Sequence, residues 1–243
     1  MPPASMSRSR FLLAATAALL ALAATAAHAA APVDAALVFA VDVSESVDAQ
    51  EYQLQHEGIA RAFESAAVQA AIAGGSHGAI EALVLEWSDP DKQVVTVDWT
   101  RIGDAKSAAA FAARVRATRR SSAGLTAIGN ALLAAAAAFE RLPDPAARHV
   151  IDLSGDGMAN VGPAPGTVRD ALVARGITIN GLAILKTEPW LESYYDQDVV
   201  GGAGAFLLQV KDFTSFAQAM EQKLVSEISA RQPSRRAASL QMQ

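Results

Sequence analysis

Residues 35–41 (AALVFAV) form an unbroken apolar run that ends on a single carboxylate, Asp42. A run of this kind belongs to a strand covered on both faces, because a strand with one wet face alternates polar and apolar residues. Mostly apolar runs recur at 79–87, 149–154 and 177–185. Strands buried on both sides pair in parallel, and parallel pairing needs a crossover, usually a helix. Helical spacing is found where crossovers are needed: 49–65 (through Tyr52, Leu54, Ile59 and Phe63), 104–118, 126–140, 168–175 and 213–229. Ser88-Asp89-Pro90-Asp91 is turn chemistry and 93–99 alternates, which predicts a hairpin and one antiparallel strand. A short helix over 191–199 and a last strand over 205–210 complete the chain. The fold expected is α/β and doubly wound: a three-layer sandwich whose mostly parallel central sheet has one antiparallel edge strand and helices on both faces.

The first 29 residues read differently. Arg8 and Arg10 precede the run FLLAATAALLALAATA, and Ala27-His28-Ala29 has the small-x-small form of an export cleavage site. The run is short and alanine-rich against the about 20 strongly apolar residues of a stable membrane span. We expect residues 1–29 to be a signal peptide, 33–230 the folded domain and 231–243, rich in Gln, Ser and Arg, a flexible tail. The protein is then exported, periplasmic or secreted, with no stable membrane span after cleavage. Losing two arginines and no acid moves the net charge from −5 to −7. That sign excludes a general nucleic-acid binder. The absence of cysteine excludes disulfides, thiol nucleophiles and cysteine-ligated metals.

In an open α/β sheet, ligands bind beyond the carboxyl ends of the strands. Asp42-Val43-Ser44-Glu45-Ser46 stands there, and alternation along an extended segment would place Asp42, Ser44 and Ser46 on one side. Three hard oxygen donors suit Mg²⁺, which takes about six oxygens. Their plainer role is to cap the next helix, for which Asp48 is the simpler candidate. Ser122-Ala123-Gly124-Leu125-Thr126 adds a hydroxyl before a helix, and Ser154-Gly155-Asp156-Gly157 adds a carboxylate after a strand.

This ordered set resembles the metal-ion-dependent adhesion site of von Willebrand factor type A domains. Glu86-Trp87-Ser88, the segment 151–157 (IDLSGDG) and the segment 179–184 (INGLAI) look like an uncharacterised bacterial exported family within that superfamily, a domain of unknown function. The resemblance implies that Ser44 and Ser46 ligate an ion directly, that Thr126 does so directly or through water, and that Asp42 and Asp156 hold its waters or reach it. The family pattern has Thr or Ser directly before Asp-Gly, whereas this chain has Gly155; Asp152 is the alternative to Asp156. The ion implied is Mg²⁺, with Mn²⁺ or Ca²⁺ as substitutes. The partner implied is a protein offering Asp or Glu to it, since two carboxylates at most balance the ion and leave it electrophilic.

Two rival readings stand beside the binding module. One is a metal-dependent hydrolase with Glu45, Asp48 or Asp152 as general base; the other is a metal-free scaffold with a vestigial site. Further patterns fail on their own spacing. His56-Glu57 lacks a second histidine at Ala60, and a calcium loop starting at Asp152 reaches Pro163 where Glu is required. Arg114, Arg116, Arg119 and Arg120 read as a solvated helix face, and Tyr194 and Tyr195 as helix packing.

Overall fold

The computed structural model describes residues 30–186 and 188–229. The expected signal peptide over 1–29 and the tail over 231–243 lie outside the described residues. Along the chain come β1 (Ala35–Asp42), α1 (Ala49–Glu64), α2 (Ala66–Ala73), β2 (Ile80–Trp87), β3 (Gln93–Ile102), α3 (Ala105–Ala117) and α4 (Ile128–Ala138). They are followed by β4 (His149–Gly155), α5 (Pro165–Val173), β5 (Ile177–Ile184), α6 (Leu191–Tyr194), β6 (Leu207–Val210) and α7 (Phe216–Ser229). One sheet carries the strands in the order β3-β2-β1-β4-β5-β6. Every pairing is parallel except the β2–β3 hairpin. The doubly wound fold expected from the apolar runs is therefore the fold observed, with the antiparallel strand at an edge.

Alternation along β1 divides the core. Leu37, Phe39 and Val41 project to one side, where Phe63 of α1, Phe111 of α3 and Phe216 of α7 pack. Phe63 sits between Phe39 and Phe111, with ring centroids 5.7 Å and 4.7 Å away in edge-on arrangements. Val38 and Ala40 project to the other side, against Ile128 and Leu132 of α4, Leu172 of α5 and Tyr195. The alanines of α4 that face the sheet, Ala131, Ala135 and Ala136, are buried, so this helix approaches the strands closely.

Several elements depart from expectation in their bounds or kind. The helix over 49–65 stops at Glu64, and Ser65 then caps a second helix, its hydroxyl accepting the Val68 amide at 3.2 Å. β3 runs on to Ile102. The helix expected over 191–199 is a single turn, α6, continued by a π turn over Tyr195–Val199 that leaves Tyr195 fully buried.

The sheet carries two buried polar clusters away from its carboxyl end. Lys223 of α7 meets Asp152 of β4 at 2.5 Å and Glu227 at 2.6 Å, and Asn180 of β5 donates to the same Glu227 oxygen at 2.5 Å. Burial and the neighbouring Glu227 push Asp152 up to about 7 despite Lys223. On β2, burial and Asp144 push Glu81 up to about 7 against the pull of Arg101.

A carboxyl whose pKa is raised by folding holds a proton that the unfolded chain has lost, between its ordinary value near 4 and about 7. Stability from these two groups is therefore greatest at the acid end and falls as pH rises through 7. His149, whose pKa is lowered by burial, opposes them below about 6.5. We expect the unfolding free energy to drop by roughly 1–2 kcal/mol from about pH 5 to about pH 8, measured by urea titration. The drop should shrink in Asp152→Asn. A stability that climbs steadily over that range contradicts the assignment.

Candidate functional site

At the carboxyl end of β1 the chain turns instead of running on. Asp42 Oδ1 accepts the Ser44 amide at 2.7 Å, and the Val47 amide donates to the Ser44 carbonyl at 3.0 Å. Extended alternation predicts Asp42, Ser44 and Ser46 on one side; the tight turn gathers them by a different geometry. The Ser44 and Ser46 hydroxyls are 3.1 Å apart, and the Ser46 hydroxyl donates to Asp156 Oδ1 at 2.5 Å. Asp48 closes the segment as the N-cap of α1 in a reciprocal capping box with Glu51. The helix-capping role thus falls to Asp48, and the Asp42 and serine side chains are left for something else.

Thr126 arrives by backbone ties. The Glu45 amide donates to the Gly124 carbonyl at 2.8 Å, which joins the loop before α4 to the turn after β1. The Thr126 amide donates to Asn160 Oδ1 at 2.9 Å, and its carbonyl accepts the Asn160 amide at 3.1 Å. α4 begins at Ile128, so Thr126 precedes the helix it was expected to open, and no side chain caps that helix. Asp42, Ser44, Ser46 and Asp156 form one chain of direct contacts, whereas Thr126 is tied to Asn160 and its loop, through Gly124, to Glu45.

The electrostatics of the site centre on Asp42. Its side chain is fully buried, Oδ1 is used by Ser44, and Oδ2 has no hydrogen-bond partner. Burial first, and the Asp156 charge second, push Asp42 up to about 7, against hydrogen bonding from Ser44 and from the Asp156 backbone. The same two carboxylates, added to burial, drive the Tyr195 hydroxyl well above its usual value. A buried carboxylate oxygen without a donor is costly, and it faces a second carboxylate. A proton or a cation would meet that cost. The chemistry of the donors fits a hard divalent ion: carboxylate and hydroxyl oxygens, with no sulfur or imidazole. Among the described residues no group of three or more His, Cys, Asp or Glu gathers, so hydroxyls would have to supply much of any coordination.

Asp152, the alternative to Asp156, faces α7 and belongs to the Lys223 cluster. Its partner is a lysine of the last helix. The remaining general-base candidates are Asp48, engaged in its capping box, and Glu45, exposed to solvent. His56 is 3.1 Å from Glu86 and takes no part in the site.

Four supports are not legible in the motif itself. Lys186, just past β5, donates to the Ser46 carbonyl at 2.8 Å and pairs with Asp156 Oδ2 and Glu51 at 2.9 Å each. Burial works to lower the Lys186 pKa, but its hydrogen bonds to Glu51 and Asp156 outweigh that and leave it raised. Arg120, read as part of a solvated face, donates to the Val43 and Ser44 carbonyls at 2.8 Å and 2.7 Å and clamps the turn. Arg116 of the same cluster pairs with Glu57 and Glu64. Glu86 accepts from Tyr52 at 2.9 Å and from the Ser121 amide at 2.7 Å, which fixes the loop carrying Arg120. Burial raises the Glu86 pKa, yet the hydrogen bonds from His56 and Ser121 hold it below its ordinary value. Gly155 is the fourth: a Cβ there would stand 2.5 Å from the Tyr195 hydroxyl and 2.9 Å from Asp42 Oδ2.

The family model described as "Protein of unknown function (DUF1194)" matches residues 32–232. A comparison with curated proteins finds no match. Among solved structures, proximal thread matrix protein 1 from the mussel byssus is similar at 19% identity and a TM-score of 0.59, over 82% of this chain and 49% of that one. A form of it with a zinc-occupied MIDAS motif gives a TM-score of 0.58. A von Willebrand factor type A structure from Catenulispora acidiphila matches at 17% identity and a TM-score of 0.58, over 82% of this chain and 44% of that one. The pilus adhesin SpaC from Lactobacillus rhamnosus GG matches at 12% and 0.60, over 81% and 31%. The chain spans about half the length, or less, of these proteins. At such identities the likeness shows the fold, that of a von Willebrand factor type A domain.

Proposed function

Because the chain belongs to the DUF1194 family and has a von Willebrand factor type A fold, we propose that it is an exported binding module. In this reading Asp42, Ser44, Ser46, Thr126 and Asp156 hold a Mg²⁺-type ion, for which Mn²⁺ or Ca²⁺ can substitute. When bound, the ion supplies an electrophilic site for an Asp or Glu of a protein partner. Residues 1–29 direct export, 33–230 form the module and 231–243 a tail. Among the described residues, no helix is long and apolar enough to cross a membrane.

The observation that carries this reading is the fully buried Asp42 Oδ2, left without a donor beside Asp156 and two serine hydroxyls. The zinc-occupied MIDAS motif of the mussel protein supports it as a precedent in the same fold. Of five large apolar side chains exposed among the described residues, Leu125, Met158 and Trp190 lie within four residues of Thr126, Asp156 or Lys186. A partner delivering a carboxylate would meet these side chains around it.

The test is thermal melting of the protein with and without Mg²⁺ or Mn²⁺. Wild type should melt several degrees higher with the ion, as any ligand of the folded state requires. Asp42→Asn, which keeps the acceptor for the Ser44 amide, and Asp42→Ala should both lose that increment while remaining folded. Identical wild-type curves with and without either ion would sink the proposal.

A further inference from the structure

The Lys186 ammonium occupies the position from which a charge would neutralise Asp156. It donates to the Ser46 carbonyl at 2.8 Å and to Glu51 at 2.9 Å, forms an ion pair with Asp156 Oδ2 at 2.9 Å, and has the Phe213 ring centroid 5.2 Å away. Asp156 Oδ1 is taken by the Ser46 hydroxyl, and Oδ2, which accepts no hydrogen bond, has Lys186 as its counter-charge. The backbone is arranged for this contact. Lys186 has φ +45°, the only positive φ at a non-glycine among the described residues. The left-handed region is disfavoured for a side chain of this size and persists where the surroundings over-determine it. Here the surroundings are the ammonium contacts, which reach back from the end of β5 to the turn after β1 and the first turn of α1.

We propose that Lys186 is a tethered cation that closes the site and that a divalent ion must displace from Asp156. The inference rests on the metal reading above and adds the means by which the site is regulated. A divalent ion held by Asp42, Ser44 and Ser46 would stand within a few ångströms of the ammonium, and like charges at that range repel. Ion binding thus frees Lys186 from Asp156 and leaves it with Glu51 on the rim, as a positive charge facing an arriving carboxylate. An orphaned Asp42 oxygen that a cation would satisfy, and a lysine that neutralises its neighbour but not Asp42 itself, make one device.

Calorimetric titration of the full chain with Mn²⁺, alongside melting in chelator, tests this. Lys186→Met keeps the apolar stem and removes the charge; it should bind Mn²⁺ about tenfold more tightly or better, and melt lower in chelator because Asp156 loses its counter-charge. Lys186→Arg keeps the charge and should stay close to wild type. Equal or weaker Mn²⁺ affinity in Lys186→Met, with wild type binding, overturns the inference and leaves the metal reading standing. Absence of binding to both proteins overturns the metal reading, and this inference with it.

Discussion

Lys223→Ala is expected to cost about 3–5 kcal/mol of folding stability, the penalty for leaving buried charge without its partner. Lys223 is fully buried in α7, and its ammonium is the counter-charge for Asp152 at 2.5 Å and Glu227 at 2.6 Å. The Phe206 ring, 5.2 Å away, is the remaining neighbour of that charge. Truncation to alanine leaves two carboxyls facing one another in a dry layer between α7 and the sheet. They can respond only by taking up protons or by parting. Either response works against the docking of α7, whose Phe216, Met220 and Leu224 are buried in the same layer. The argument is specific to breaking the cluster, and removing it whole should be far milder. Lys223→Met combined with Asp152→Leu and Glu227→Gln keeps an acceptor for Asn180 and should recover most of the loss. Urea unfolding of the single and triple variants measures both. A single variant within about 1 kcal/mol of wild type would mean that the cluster does not hold the helix.

The layers of this fold are legible in the sequence for a simple reason. Strands buried on both faces leave an apolar signature that needs no partner to be recognised, and 35–41 shows it without interruption. α2 escapes because only Val68 and Ile72 of its eight residues are buried, too few to set up a periodic stripe. Its boundaries were nevertheless written in Ser65, a good N-cap, and Gly74, a good stop. At the site, the short-range part is readable. Asp42, Ser44 and Ser46 lie within five residues, and their grouping survives even though a turn, not an extended strand, produces it. What cannot be read locally are contacts made across the chain. Lys186 reaches Ser46 over 140 positions and Arg120 reaches Val43 over 77, and neither residue differs in kind from any surface lysine or arginine. Asp152 misleads for the same reason: a carboxylate in a strand signals that a partner exists, but not that it is Lys223 on the last helix.

Gly155→Val is expected to destabilise the fold by about 3 kcal/mol, at the upper end for overpacking, and to abolish any ion-dependent rise in melting temperature. The resemblance to von Willebrand factor A domains leads one to look for Thr or Ser just before Asp156-Gly157, and the chain has glycine there. The reason lies across the sheet. A Cβ at 155 would meet the Tyr195 hydroxyl at 2.5 Å, Asp42 Oδ2 at 2.9 Å and Trp87 Cζ2 at 3.4 Å. Trp87 and Tyr195 are fully buried, and the Tyr195 ring is itself backed by Gly181, where a Cβ would lie 3.4 Å from Tyr195 Cδ1. Neither ring has room to retreat, so the cheapest movement open to a valine is to push Asp42 away from the serines. Stability and ion response therefore fall together, through one displaced carboxylate. Tyr195→Phe removes the nearest atom, so in the valine background it should restore part of the stability, a coupling that a double-mutant cycle reads directly. If the two substitutions simply add, Tyr195 is not what requires glycine at 155. If they couple, the departure from the usual Thr/Ser-Asp-Gly pattern is the imprint of Tyr195, a residue that the chain brings in 40 positions later to roof the Asp42 carboxylate.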